Sequence, residues 1–339
     1  MLVKDLSWLV EIWRLVEKDP STKQLYLSKY GAYIAGMHVA AVRNLLLPLD
    51  QEITVDGAMV VGTLGLLRED TEVALKQTES SLVIIAGRRR AVLRAMSAAP
   101  PPHSLDIGKH RFDGTKLRSE VKFLRACTSG GVVRPILTGI HFRRGTKKVI
   151  VEATDAERRS GRAAISLPEQ VAGQVVPAGD LDAALSLLTT KIAMKLSGTR
   201  VVLGDRQTVV ALSLLQGAYP DLSRLKKPQN YKFEIEIHRQ HLELAIRAAI
   251  LFDSDRVIKF VIENRRASFV VVGQETGGFR QPISGKIDLD DIEIAFDAHW
   301  LDAAQYIGDK ITMRYNDSRS PVLFSGNGRL LWMSSLVRV

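Results

Sequence analysis

The chain has 339 residues, 46% of them apolar and 25% charged, with a formal net charge of +10 and a single cysteine, Cys127. That length allows two or three domains, each with its own core, and the composition excludes a disordered or fibrous chain. An intrachain disulfide is excluded, and the longest apolar stretches, such as "GAMVVGTLGLL", are about half of the roughly 20 residues a membrane helix needs.

A strongly basic surface suits polyanions, nucleic acid before acidic membrane. The N-terminal "MLVKDLSWLVEIW" carries Asp5 and lacks a small-residue cleavage site, so it does not read as a signal peptide. One cysteine fits a reducing cytosol.

In chain order, the pattern predicts a helix over 4–18, then a short amphipathic helix running into an alternating strand over 55–76. A closing strand pair follows in "SLVIIAGRRRAVLRA". The prolines of "AAPPPHS" (98–104) exclude helix and mark a linker. The same order then returns. There is a strand in "HRFDG", a helix over 115–127, strands such as "KKVIVEATD", a helix and strand over 176–195, and the pair "RVVLGDRQTVVALSLL". A second proline-bearing linker, "RLKKPQN" (224–230), precedes a third round. This has the strand "KFEIEI", a helix over 238–252, "ASFVVVGQ", a helix and strand over 296–314, and "PVLFSGNGRLLWMSSL". Val73, Ile192 and Ile311 fall 119 residues apart in both steps. The expectation is an α+β chain of three copies of a domain with two helices and antiparallel sheet, over 1–104, 105–228 and 229–339.

The helices carry charge beside their apolar stripes. Over 115–127, Leu117, Val121 and Leu124 share one face, while Arg118, Lys122 and Arg125 form a basic stripe one step around. Over 238–252, Leu242, Ala245, Ile246 and Ala249 face inward, with Arg239 and Arg247 outside. The first helix offers Arg14 and Lys18, opposed by Glu11 and Glu17. Cations so placed suit contact with phosphates rather than base edges.

Sequence motifs for chemistry are missing. There is no phosphate-binding glycine loop, no His-Glu-x-x-His and no Cys-x-x-Cys. His238 and His241, three apart at a helix start, read as capping or surface residues. No metal, cofactor or catalytic set is expected. "VEATDAERRS" (151–160) is the one dense cluster of carboxylates and guanidiniums.

"RPILTGIHF" followed by "VEATDAERRSG" resembles the second domain of the bacterial sliding clamp, the beta subunit of DNA polymerase III. "LLQGAYPDLSRL", "LAIRAAILF", "FDAHWLDAAQYI" and "YNDSRSPVLF" are similar to later segments of that family, in order, across most of residues 115–339. The first third matches by architecture only. The resemblance implies the DNA clamp fold: two chains head to tail in a ring of six domains, helices lining the hole and sheets outside. It also implies a non-enzymatic processivity factor that encircles double-stranded DNA and tethers DNA polymerase, a clamp loader and repair enzymes.

Those partners would dock short hydrophobic motifs in a pocket. Its implied residues are Leu137, Thr154, Ala156, Arg158, Arg159, Pro220, Arg224, Leu225, Pro321, Val322, Met333, Ser335, Leu336, Val337, Arg338 and Val339. Asp155 would brace the turn rather than catalyse. Ring closure would use Arg88, Arg89, Arg90 and Arg94 against Asp288, Asp290, Asp291 and Glu293, with apolar Ile250 and Leu251. The family's Gly-His stands here as Ala156-Glu157, its C-terminal Met-Pro-x-Arg-Leu is changed, and this chain is basic where the family is acidic overall. A cytoplasmic, nucleoid-associated protein of a bacterium or phage-infected host is expected, with no membrane partner. Two readings compete: an open basic DNA-binding protein of the same domain type, and a hydrolase or nuclease using Asp155, Glu157 and Arg158.

Overall fold

The computed structural model describes residues 1–17, 24–36, 38–44, 46–97, 107, 111–131, 133–225, 231–253, 255–273, 277–283, 291–317 and 320–336. The expected threefold order is present. The first repeat runs α1 (Ser7–Arg14), β1 (Gln24–Ser28), β2 (Gly31–Ala35), β3 (Val39–Asn44), β4 (Ile53–Asp56), α2 (Gly57–Gly65), β5 (Ala74–Thr78), β6 (Ser81–Ala86) and β7 (Arg89–Arg94). The second opens with an extra strand, β8 (Arg111–Asp113). It continues as α3 (Gly114–Arg125), β9 (Gly139–Arg144), β10 (Val149–Thr154), β11 (Arg159–Ile165), β12 (Gln174–Pro177), α4 (Ala178–Leu187), β13 (Lys191–Ser197), β14 (Arg200–Gly204) and β15 (Thr208–Ser213). The third is β16 (Phe233–His238), α5 (Arg239–Phe252), β17 (Val257–Glu263), β18 (Arg266–Gly273), β19 (Gly277–Ile283), β20 (Ile292–Asp297), α6 (Ala298–Leu301), β21 (Lys310–Tyr315), β22 (Val322–Gly326) and β23 (Arg329–Met333).

Local chemistry sets the helix starts. Asp56 caps α2 by accepting from the Met59 N–H at 3.2 Å, and Asp297 caps α6 by accepting from His299 at 2.7 Å. Asp113 accepts from Thr115 at 2.8 Å where α3 begins. The apolar stripes of α3 and α5 are buried as their spacing predicts. Two helices are shorter than expected. The first is a 3-10 turn, Val3–Leu6, before α1, and the last gives way to a 3-10 turn, Asp302–Tyr306, after α6.

The repeats share their closures. After each last strand one residue bonds back to the strand preceding the second helix: Met96 to Thr54 at 2.8 Å, Leu215 to Val175 at 2.9 Å, and Leu336 to Ala295 at 2.8 Å. This triple match is independent of side-chain identity.

The chain divides into two compact units: Met1–Thr115 with Leu167–Val171 and Asp180–Leu214, and Lys116–Ser166 with Ala172–Gly179 and Leu215–Val339. The first holds an eight-stranded antiparallel sheet, β4-β1-β2-β3-β15-β14-β13-β8, and a three-stranded sheet, β5-β6-β7. The second holds β12-β9-β10-β11-β23-β22-β21-β16 and a four-stranded sheet, β19-β18-β17-β20. Main-chain pairing therefore crosses the repeats: β3 pairs with β15, and β11 with β23.

Candidate peptide-binding site

The cluster that stood out in sequence is a turn between β10 and β11. Asp155 Oδ1 accepts from the backbone N–H groups of Glu157, Arg158 and Arg159 at 3.1, 2.8 and 2.8 Å, and Oδ2 meets Arg159 Nε at 3.0 Å. Its acceptor capacity goes into holding the turn, which suits bracing rather than acid–base work. Thr154 Oγ1 donates to the Arg159 carbonyl at 2.8 Å and accepts from Ala156 N–H at 2.9 Å. Ala156 sits at φ 61°, a left-handed conformation that costs an L-residue about 1–2 kcal/mol relative to glycine.

One wall of the site is the segment 219–225. The Tyr219 hydroxyl accepts from Thr154 N–H at 3.0 Å, and its ring lies 4.9 Å from that of His141. Arg162 donates to the carbonyls of Leu222 and Leu225, the latter at 3.4 Å, while its guanidinium covers the Trp332 ring at 4.9 Å. Beneath lies Glu152, 1% exposed, meeting His141 at 3.1 Å, Arg143 at 3.2 Å and Arg162 at 3.3 Å. Burial alone would raise its carboxyl. The His141 hydrogen bond and the two guanidiniums outweigh burial and hold it below the ordinary carboxylate value.

The other wall is the end of the third repeat. Arg159 pairs with Met333 across β11 and β23, and Ser334 N–H donates to the Arg158 carbonyl at 2.9 Å. Arg158 lies over Trp300 at 5.0 Å, and Arg159 donates to the His299 carbonyl at 3.4 Å. Residues from both repeats thus meet around one turn. Within it, Leu137, Thr154, Arg159, Val322 and Met333 are buried, Pro220, Leu225, Ser335 and Leu336 are half-buried, and Ala156, Arg158, Arg224 and Pro321 are exposed. Val337, Arg338 and Val339 lie outside the described residues. Sequence reading missed Glu152, Arg162, Tyr219, Trp300 and Trp332. The carboxylate inside the apolar strand "VIVEAT" was the available signal.

The other expected residues lie on several elements of the two units. Arg14, Lys122, Arg125 and Arg247 are exposed and Arg118 is half-buried; Lys18 lies outside the described residues. Arg239 is engaged by Glu243 at 3.4 Å and Asp309 at 3.2 Å, which offsets its charge. Arg88, Arg89, Arg90 and Arg94 are exposed on β7 and the turn before it. Ile250 and Leu251 are 63% and 74% exposed at the end of α5. Asp291 precedes β20, at the opposite edge of its sheet from β19, and accepts from Asn264 N–H at 3.2 Å; Asp288 and Asp290 lie outside the described residues.

No group of three or more His, Cys, Asp or Glu is placed to hold a metal among the described residues. Burial pushes the Cys127 thiol up to about 12, so it is unreactive at neutral pH. Burial, then His238, holds the His241 imidazole below its usual value. No helix of the described residues is long and apolar enough to cross a membrane.

No protein-family profile matches the chain. In sequence it is 24% identical over 297 residues to the beta sliding clamp of Synechococcus elongatus, covering 81% of this chain and 78% of that protein. In structure it matches the Bartonella birtlesii sliding clamp bound to griselimycin with a TM-score of 0.82 at 21% identity, over 99% of this chain and 98% of the other. It matches the Helicobacter pylori beta clamp bound to a DNA ligase peptide with a TM-score of 0.81 at 18% identity, over 99% of each. The chain has the clamp fold.

Proposed function

We propose that this divergent relative of the bacterial beta sliding clamps is a processivity factor. Two copies close head to tail around duplex DNA, and the site at the Thr154–Arg159 turn tethers DNA polymerase, the clamp loader and repair enzymes by short apolar motifs. The role is accessory, not catalytic. It places the protein with the nucleoid of a bacterial cell or phage-infected host.

One observation carries the ring. A single kind of strand joint occurs twice in the chain: the third strand after the first helix of one repeat pairs with the last strand of the next, as β3 with β15 and β11 with β23. The third strand after α5 in the last repeat, β19, and the last strand of the first repeat, β7, each keep an unpaired edge among the described residues. Open edges of this kind are templates for another chain. Joining β19 of one copy to β7 of another repeats the joint and closes six domains, 1–104, 105–228 and 229–339 in each chain. Exposed Arg14, Lys122, Arg125 and Arg247, half-buried Arg118, and Arg239 with its ion pairs are the cations offered to phosphates.

Topology is the test. The protein, loaded on nicked circular DNA, is expected to stay bound in high salt and to run off once the DNA is linearised. Equal retention on both forms would favour an open protein gripping by charge alone.

The peptide site is tested separately. Leu225 is half-buried on the wall fixed by Arg162. Leu225→Glu is expected to weaken a fluorescent apolar peptide at least about tenfold, a loss of roughly 1.4 kcal/mol, with DNA retention unchanged.

A further inference from the structure

We propose that the seam between copies sets like charges face to face, Arg90 of one copy opposite Arg280 of the other, so that closure is weakest at low ionic strength. This rests on the ring reading above. Register comes from the repeats themselves. From the closing anchors, Thr54 pairs with Tyr26, Tyr26 with Tyr33, and Tyr33 with Val42. Val175 leads likewise through His141 and Glu152 to Arg162. Ala295 leads through Lys259 and Val270 to Arg280.

In the two joints within the chain, Val42 faces Val209 and Arg162 faces Leu330. Both partners lie six residues before the closing residue of their own repeat, Leu215 or Leu336. Six residues before Met96, the third closing residue, stands Arg90. The same construction that yields both observed pairs therefore yields Arg280 opposite Arg90.

Side-chain exposure supports the register independently. It lays Val92 against Gly278, whose neighbour across β18 is Val272. Val92 and Val272 are 54% and 61% exposed. Gly278 leaves room between them, and a Cβ there would meet the Val271 carbonyl oxygen at 2.6 Å. The seam covers both valines in one apolar row.

The adjoining row is charged. Arg280 donates to the buried Ser268 at 3.0 Å and makes an exposed ion pair with Glu263 at 3.1 Å, which offsets part of its charge. Across β6, Arg90 faces Ile85, and Arg94 follows on the same face of β7 opposite Ser81. Lys259 on β17 is paired with Glu293 at 2.7 Å. Among the described residues, Glu263 is the carboxylate paired with Arg280. Asp291 is at the far edge of the sheet. Like charges directly opposite on paired strands repel, and salt screens exposed charges.

The dimer dissociation constant of the full chain, measured by sedimentation at low and high sodium chloride, tests this. The unmodified protein is expected to tighten roughly two- to fivefold per seam as salt rises. Arg90→Glu and Arg280→Glu should each tighten the dimer at low salt by a similar factor, and the double variant should return to the original weakness. Both arginines are exposed, so circular dichroism should be unchanged. A cysteine pair fixes the register: Arg90→Cys with Arg280→Cys should form a disulfide-linked dimer, and Arg90→Cys with Pro282→Cys should not. Cys127 is buried and stays silent. A dimer that loosens with salt, or is weakened by Arg90→Glu, or cross-links through position 282, overturns the seam and leaves the ring standing. No dimer in any variant overturns the ring itself.

Discussion

Glu152→Ala is expected to cost about 3–5 kcal/mol of stability, read as a lower urea midpoint for the unit holding β9–β12. The size follows from what is left behind. Glu152 is 1% exposed and is the shared partner of His141, Arg143 and Arg162, whose side chains are 17%, 30% and 17% exposed. Removing it leaves partly buried cations facing one another with no counter-charge. Glu152→Gln keeps a hydrogen-bond acceptor and should cost less. The effect reaches the site because Arg162, once released, no longer holds the carbonyls of Leu222 and Leu225, so apolar peptide binding should fall together with stability.

The same cluster fixes a pH dependence. The folded-state carboxyl of Glu152 lies below its unfolded value of about 4.3. A group with a depressed folded value contributes stability that is fully present above the unfolded value, and loses it as pH falls through the folded one. The difference in stability between wild type and Glu152→Gln should therefore be flat near neutrality and shrink in acid. A difference that persists unchanged into strong acid would assign the stabilisation to packing instead.

Local patterns were legible in the sequence, and pairings were not. The stripes of α3 and α5 needed only a period of 3.6 residues, and the Asp155 turn only a carboxylate before free N–H groups. The spacing of Val73, Ile192 and Ile311 exposed the repeats. None of these predicts which strand edges meet. The β3–β15 and β11–β23 joints bring together residues far apart in the chain, and they make the compact units cut across the repeats. Arg239 reads as a free cation until Asp309, distant in sequence, is placed beside it. The acidic run at 288–293, expected opposite the Arg88–Arg94 run, is likewise a matter of strand pairing, and its Asp288 and Asp290 lie outside the described residues. Sheet order puts Asp291 beside β20, and Arg280 is what β19 presents.

Replacing Ile250 and Leu251 together by aspartate is expected to leave a folded monomer. Both side chains project from the last turn of α5, away from its buried residues Leu242, Ala245, Ile246 and Ala249, so the fold loses little. The helix itself packs on β18 and β19, which places the pair beside the edge proposed to meet β7. Burying an exposed aliphatic side chain contributes about 1.5–3 kcal/mol when complete, and a charged replacement adds a desolvation cost. Two copies closed head to tail form the seam twice. A loss of about 2 kcal/mol at each seam is about 4 kcal/mol for the ring, roughly a thousandfold in the dimer dissociation constant. Sedimentation should then show a monomer at concentrations where the parent is a dimer, and retention on circular DNA should vanish while Leu225-dependent peptide binding persists. That pattern separates seam from site: a variant that stays dimeric and still slides would move the interface away from α5, whereas one that also loses peptide binding would mean the substitution has reached the fold.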